Sequence, residues 1–144
     1  MITFYILHTN SSTPIKDHII FACNIVEQEY NKGNRIHIHV STQKEAQDID
    51  DILWTFKDIS FVPHTIYIKN LDNFIPQVTI GYNNFFGNYN DIVLNLTTNI
   101  FTDFLKFKHI IEIIPNNEES RIIARGRFRK YRESINNIQV IDVS

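Results

Sequence analysis

Strand-like runs alternate with helical periods from the first residues onward, and this alternation limits what the chain can fold into more than any other feature. Thr3-Phe4-Tyr5-Ile6-Leu7 is short, aromatic and β-branched, and it stops at the polar run Thr9-Asn10-Ser11-Ser12. Thr13 is placed to cap a helix with Pro14 at its first position, and Ile15, Ile19, Ala22, Cys23, Val26 and Tyr30 recur at helical spacing up to Gly33. Residues Arg35 to Val40 return to strand character. Thr42-x-x-Glu45 then has the form of a capping box that opens a helix through Ala46, Ile49, Leu53 and Trp54. Parallel strands need a long crossover between them, so a βαβα order predicts a mainly parallel sheet with helices on both faces, a three-layer α/β architecture.

The pattern loosens after Trp54, where Pro63 and Pro76 interrupt regular structure. Strands are expected at Val78–Ile80 and Ile92–Leu96, separated by an Asn- and aromatic-rich loop from Gly81 to Asn90. A short helix around Thr102–Lys108, a strand at His109–Ile114 and a last helix from about Asn117 to Glu133 follow. Ile138–Val143 alternates like a strand, so residues 137–144 are read as an edge strand or a loose tail. A length of 144 residues fits a single α/β domain spanning 1–144.

Composition excludes several classes. With 43% hydrophobic and 21% charged residues the chain is too apolar for intrinsic disorder. Its apolar runs, such as Ile110-Ile111 and Ile113-Ile114, fall far short of the roughly 20 residues that cross a bilayer. No basic leader precedes the first strand, and the single Cys23 permits no intrachain disulfide, so the expectation is a cytoplasmic protein without membrane contact. The four glycines, Gly33, Gly81, Gly87 and Gly126, show neither a dinucleotide fingerprint nor a phosphate-binding loop. The sheet is therefore expected without a nucleotide-binding loop and without a cofactor.

Signals for catalysis are missing. His37 and His39 share one face of a strand, the local geometry of many zinc sites, but no third ligand has supporting spacing. They read as histidines packed in the sheet, and no metal site is expected. Asp48, Asp50 and Asp51 form the water-facing side of a helix, and Cys23 lies on an apolar stripe where an inert thiol is expected. No Gly-x-Ser-x-Gly elbow is present.

Charge is distributed unevenly. Residues 121–132 carry Arg121, Arg125, Arg127, Arg129, Lys130 and Arg132 and no acid, which leaves eight cations against 16 acids elsewhere. Within the same helix, Ala124, Phe128, Tyr131 and Ile135 form an apolar stripe, and Arg121, Arg125 and Arg129 form a cationic one about 100° away. Arginine's planar fork suits two-point binding of carboxylate or phosphate. The stripe is either a solvated face or a site for an acidic peptide or a nucleic-acid backbone. Trp54 with Ser60-Phe61-Val62-Pro63-His64 is either a core plug or a protein-docking patch.

Seven ordered segments resemble the chi subunit of bacterial DNA polymerase III. They are Thr3–Leu7, Gly33-Asn-Arg-Ile36, Gln47 through Leu53-Trp54, Ser60-Phe-Val-Pro-His64, Asp91–Leu96, Ile111-Glu-Ile-Ile-Pro115 and Ala124-Arg-Gly-Arg-Phe-Arg-Lys-Tyr-Arg132. The resemblance implies a Rossmann-like fold and a non-catalytic adaptor of the clamp-loader assembly. It implies two partners: the psi subunit and the acidic C-terminal tail of single-stranded DNA-binding protein, which ends in a Phe bearing the terminal carboxylate. Arg125 matches the family's tail-binding arginine, with Arg121 and Arg129 as further cations and Ile114 and Phe128 as an apolar floor. Trp54, Phe61, Pro63 and His64 fall to the psi-docking side, which a helicase would occupy where psi is absent. Nucleic acid would then be reached only indirectly. The alternative is direct binding of single strands by the basic helix, which the acidity of the remaining chain opposes.

Overall fold

A computed structural model describes residues 1–8, 12, 14–55, 64–66, 77–82, 91–101 and 103–143. Its elements run β1 (Ile2–Leu7), α1 (Pro14–Asn31), β2 (Ile36–Val40), α2 (Gln43–Thr55), β3 (His64–Ile66), β4 (Val78–Tyr82), β5 (Ile92–Asn95), a 3-10 turn (Phe104–Lys106), β6 (His109–Ile114), α3 (Glu118–Arg132) and β7 (Ile138–Val143). The sheet has the order β3-β4-β2-β5-β6-β1-β7, and every pairing in it is parallel. This is the parallel α/β architecture that the alternation predicted and the Rossmann-like fold that the resemblance implied.

Local chemistry explains the boundaries. Gly33 follows α1 with φ 83°, the left-handed conformation that costs glycine little, and its N–H donates to the Tyr30 carbonyl. The Thr42–Glu45 capping box forms, with the Glu45 N–H donating to Thr42 Oγ1 at 3.2 Å. Asn117 caps α3 by accepting from the Ser120 N–H at 2.8 Å. Two details differ from the sequence reading. The strand His64–Ile66 was not expected, being too short to show alternation, and the short helix expected around Thr102–Lys108 is a 3-10 helix limited to Phe104–Lys106, with Thr102 outside the described residues. Residues 138–143 form an edge strand on β1, which resolves the choice between strand and loose tail.

Two apolar layers sandwich the sheet. On one face Ala22, Cys23 and Val26 of α1 and Ala46, Ile49 and Leu53 of α2 cover Ile36, Ile38, Val78, Ile80, Leu94 and Ile111. On the other, Phe104 and Phe107 and the α3 residues Ala124 and Tyr131 cover Ile2, Phe4, Val93, Ile110 and Ile114. Buried Cys23 has its thiol pushed up to about 12 by desolvation, so it is unreactive. His37 and His39 lie buried on the α3 side of β2, where His37 Nδ1 shares a 2.6 Å hydrogen bond with Thr79 and the His39 ring packs 5.0 Å from Phe101. Burial drives His37 down to about 3, so the ring is neutral. Among the described residues no set of three or more His, Cys, Asp or Glu is positioned to hold a metal ion, and no helix is long and apolar enough to cross a membrane.

Candidate functional site

The cationic stripe of α3 lies over a groove whose floor comes from both ends of the chain. The registers Ile6↔Ile114 and Ile6↔Asp142 align β1, β6 and β7, so Phe4 and Ile6, Ile114, and Val140 and Asp142 all point to the α3 side. With Arg121, Ala124, Arg125, Phe128 and Arg129 from the helix they enclose a cavity of about 400 Å³. The five residues expected at an anion-binding site, Arg125, Arg121, Arg129, Phe128 and Ile114, therefore meet in one place. Phe128 sits edge-on to Phe4 at 5.6 Å, and the Arg132 guanidinium lies 5.9 Å from the Phe128 ring.

The three arginines are not equivalent. Arg121 is drawn back into the groove, where its Nη2 donates to Asn116 Oδ1 at 2.7 Å, His8 Nδ1 at 3.2 Å and the Leu7 carbonyl at 3.4 Å. A guanidinium only donates, so His8 Nδ1 is the acceptor and His8 Nε2 carries the proton that it gives to Asp142 at 2.7 Å. Arg125 and Arg129 are exposed, and among the described residues no acid pairs with either. The site thus combines one fixed cation at the back, two free ones at the mouth and an apolar floor. Such an arrangement suits an anionic group attached to a large apolar side chain.

Arg127, part of the same basic island, faces the sheet instead. Its Nε donates to Glu112 Oε2 at 3.0 Å and its Nη1 to the Thr98 carbonyl at 3.1 Å. Asn95 Nδ2 at 3.4 Å and the Tyr131 hydroxyl at 3.5 Å converge on the same Oε2, while Oε1 is buried without a partner among the described residues. Glu112 is fully buried, and desolvation outweighs Arg127 to push its carboxyl up to about 7. This cluster holds α3 on the sheet and so sets where the groove's arginines stand.

Sequence reasoning missed Phe4, Ile6, His8, Val140 and Asp142 as groove residues. The alternation of β1 marked Phe4 and Ile6 as one face, but the parallel pairing with β7 that selects Val140 and Asp142 has no local signal. On the other expected surface, Phe61 and Pro63 lie outside the described residues. So do the side chains of Trp54, in the last turn of α2, and His64, which opens β3.

The family model described as DNA polymerase III chi subunit, HolC, matches residues 1–139. Three curated relatives carry the name DNA polymerase III subunit chi. The one from Pseudomonas aeruginosa is 27% identical over 112 residues, covering 78% of this chain and 77% of its own length. That from Escherichia coli is 26% identical over 132 residues, covering 90% and 89%, and that from Haemophilus influenzae is 27% identical over 133 residues, covering 90% and 88%.

Proposed function

Because the chain belongs to the DNA polymerase III chi subunit family, we propose that it is a non-catalytic, single-domain adaptor that binds the acidic C-terminal tail of single-stranded DNA-binding protein on the α3 groove and the psi subunit on a second surface. The observation that carries this reading is the convergence of Arg121, Arg125 and Arg129 over the floor made by Phe4, Ile114 and Phe128. A tail ending in Phe offers an aromatic ring for that floor and a terminal carboxylate for a guanidinium, with upstream acids left for the remaining cations. The adaptor would act in the cytoplasm at the replisome. Psi docks on the side of Trp54, Phe61, Pro63 and His64, a face that a helicase takes where psi is absent.

The test is binding of a labelled acidic peptide ending in Phe. Micromolar affinity is expected, falling as salt rises because Arg125 and Arg129 are exposed. Arg125→Ala should cost about 1.5–3 kcal/mol of binding free energy, and a peptide without the terminal Phe should bind far more weakly. Unchanged affinity in the Arg125→Ala protein refutes the assignment. Equal binding of naked and protein-coated single strands would point instead to direct strand recognition by α3. For the second face, loss of psi co-purification on Trp54→Ala, with tail binding retained, is the expected result.

A further inference from the structure

A second cavity, of about 370 Å³, opens on the opposite side of α3 at the carboxyl ends of β2, β5 and β6. The topology puts it at a special position. From β2 the chain leaves through α2 toward β3, and from β5 it leaves through the 3-10 turn toward β6, so two adjacent strands send their connections in opposite directions. Such a reversal parts the loops above the sheet and is where open α/β sheets hold ligands. The crevice shares α3 as a wall with the arginine groove, but Ser120, Ile123 and Arg127 face it rather than Arg121, Arg125 and Arg129.

Its chemistry is opposite to that of the groove. Ile19, Ile49, Leu96 and Ile123 line the interior, and Glu45 and Asp48, exposed and one turn apart on α2, stand at the mouth. On the same helix Asp50 and Asp51 are engaged by Gln47 Nε2 at 3.5 and 3.0 Å, and Glu45 Oε1 accepts from Thr42 Oγ1 at 3.2 Å. The other titratable groups that line the crevice are turned away from the mouth or uncharged. Arg127 is held by Glu112 and the Thr98 carbonyl, and His18 is kept neutral by burial that lowers it to about 4. A phosphate would meet two carboxylates and no glycine-rich loop. We propose that this crevice binds a small amphipathic organic cation, its apolar body against Ile19, Ile49, Leu96 and Ile123 and its ammonium or amidinium group beside Glu45 and Asp48.

Benzamidine is the probe, titrated into the full chain and followed by amide chemical shifts, with benzoate and benzyl alcohol as anionic and neutral controls. Saturable shifts confined to the crevice are expected, at the N-terminal parts of α1, α2 and α3, the segment Leu96–Thr98 and the carboxyl ends of β2 and β6, with benzoate giving none and benzyl alcohol binding more weakly. The double variant Glu45→Gln, Asp48→Asn should weaken benzamidine roughly five- to tenfold. It keeps the capping box, since Gln replaces Glu there without loss of the motif. Ile123→Trp, which fills the crevice, should abolish binding while the acidic peptide still reaches the arginine groove. No saturable shift with benzamidine, equal binding of benzoate, or undiminished binding to the double variant overturns the proposal.

Discussion

Replacing Glu112 by Gln separates the charge of the buried cluster from its shape, because Gln fills the same space and has no proton to lose. An acid whose native pKa lies above its unfolded value holds more protons in the native state across the interval between the two. Native stability therefore falls as pH rises through that interval. For Glu112 the interval runs from 4.5 to about 7. At about 1.36 kcal/mol per unit, ionised Glu112 lowers native stability by roughly 3 kcal/mol relative to its protonated form. About 2–3 kcal/mol of this develops between about pH 5 and pH 8. In Glu112→Gln the slope disappears. Arg127 also loses its counter-charge, but a guanidinium stays protonated throughout, so that loss is a constant offset. His18 and His37, both lowered by burial, contribute the opposite trend, with stability gained as pH rises toward 6.5, and they do so in both proteins. The stability of Glu112→Gln minus that of the wild type, from urea unfolding at several pH values, should thus grow by roughly 2–3 kcal/mol between about pH 5 and pH 8. Parallel curves, or a difference that shrinks with pH, would show that Glu112 is ionised throughout and that the account of how α3 is seated is wrong.

Three further outcomes follow from particular contacts. Asp142→Asn removes the acid of the arginine groove, so affinity for the acidic peptide should rise about two- to threefold at low salt and the gain should fade at high salt, as read by fluorescence anisotropy. Gly81→Ala would place a Cβ 2.7 Å from His37 Nε2 and 2.8 Å from Cε1, on a ring already tied to Thr79, so calorimetry should show a loss of about 1–3 kcal/mol. Gly126→Ala meets nothing within 4 Å in mid-helix and should raise the urea midpoint by an equivalent of about 0.5–1 kcal/mol, with peptide affinity unchanged.

How far these features could be read from the sequence depends on the range of the interactions that make them. Helix α3 was legible because its two stripes recur within the helix itself, and the structure keeps Ala124 and Tyr131 against the sheet and Arg121, Arg125 and Arg129 on the groove. The inward turn of Arg127 was not legible. It depends on a carboxylate inside the run Ile110-Ile111-Glu112-Ile113-Ile114, and only the folded register brings that residue under α3. His37 and His39 were read as histidines packed in the sheet and are buried there, but their side of the sheet follows from Ile36, Ile38 and Val40 facing α1 and α2. The strand His64–Ile66 escaped notice because three residues carry too little alternation, and it gains its order from pairing with β4.

The parallel pairing of β1 with β7 also has a consequence in time. The arginine groove is closed by residues far apart in the sequence, Phe4 and Ile6 on one strand and Val140 and Asp142 on its neighbour. Contacts between such distant positions carry the largest loop-closure penalty and tend to form late in folding. On the ribosome, a chain that has emerged only through α3 displays its cations without the β7 wall. A complete groove therefore requires that β7 has emerged, and capture of an acidic ligand awaits that strand.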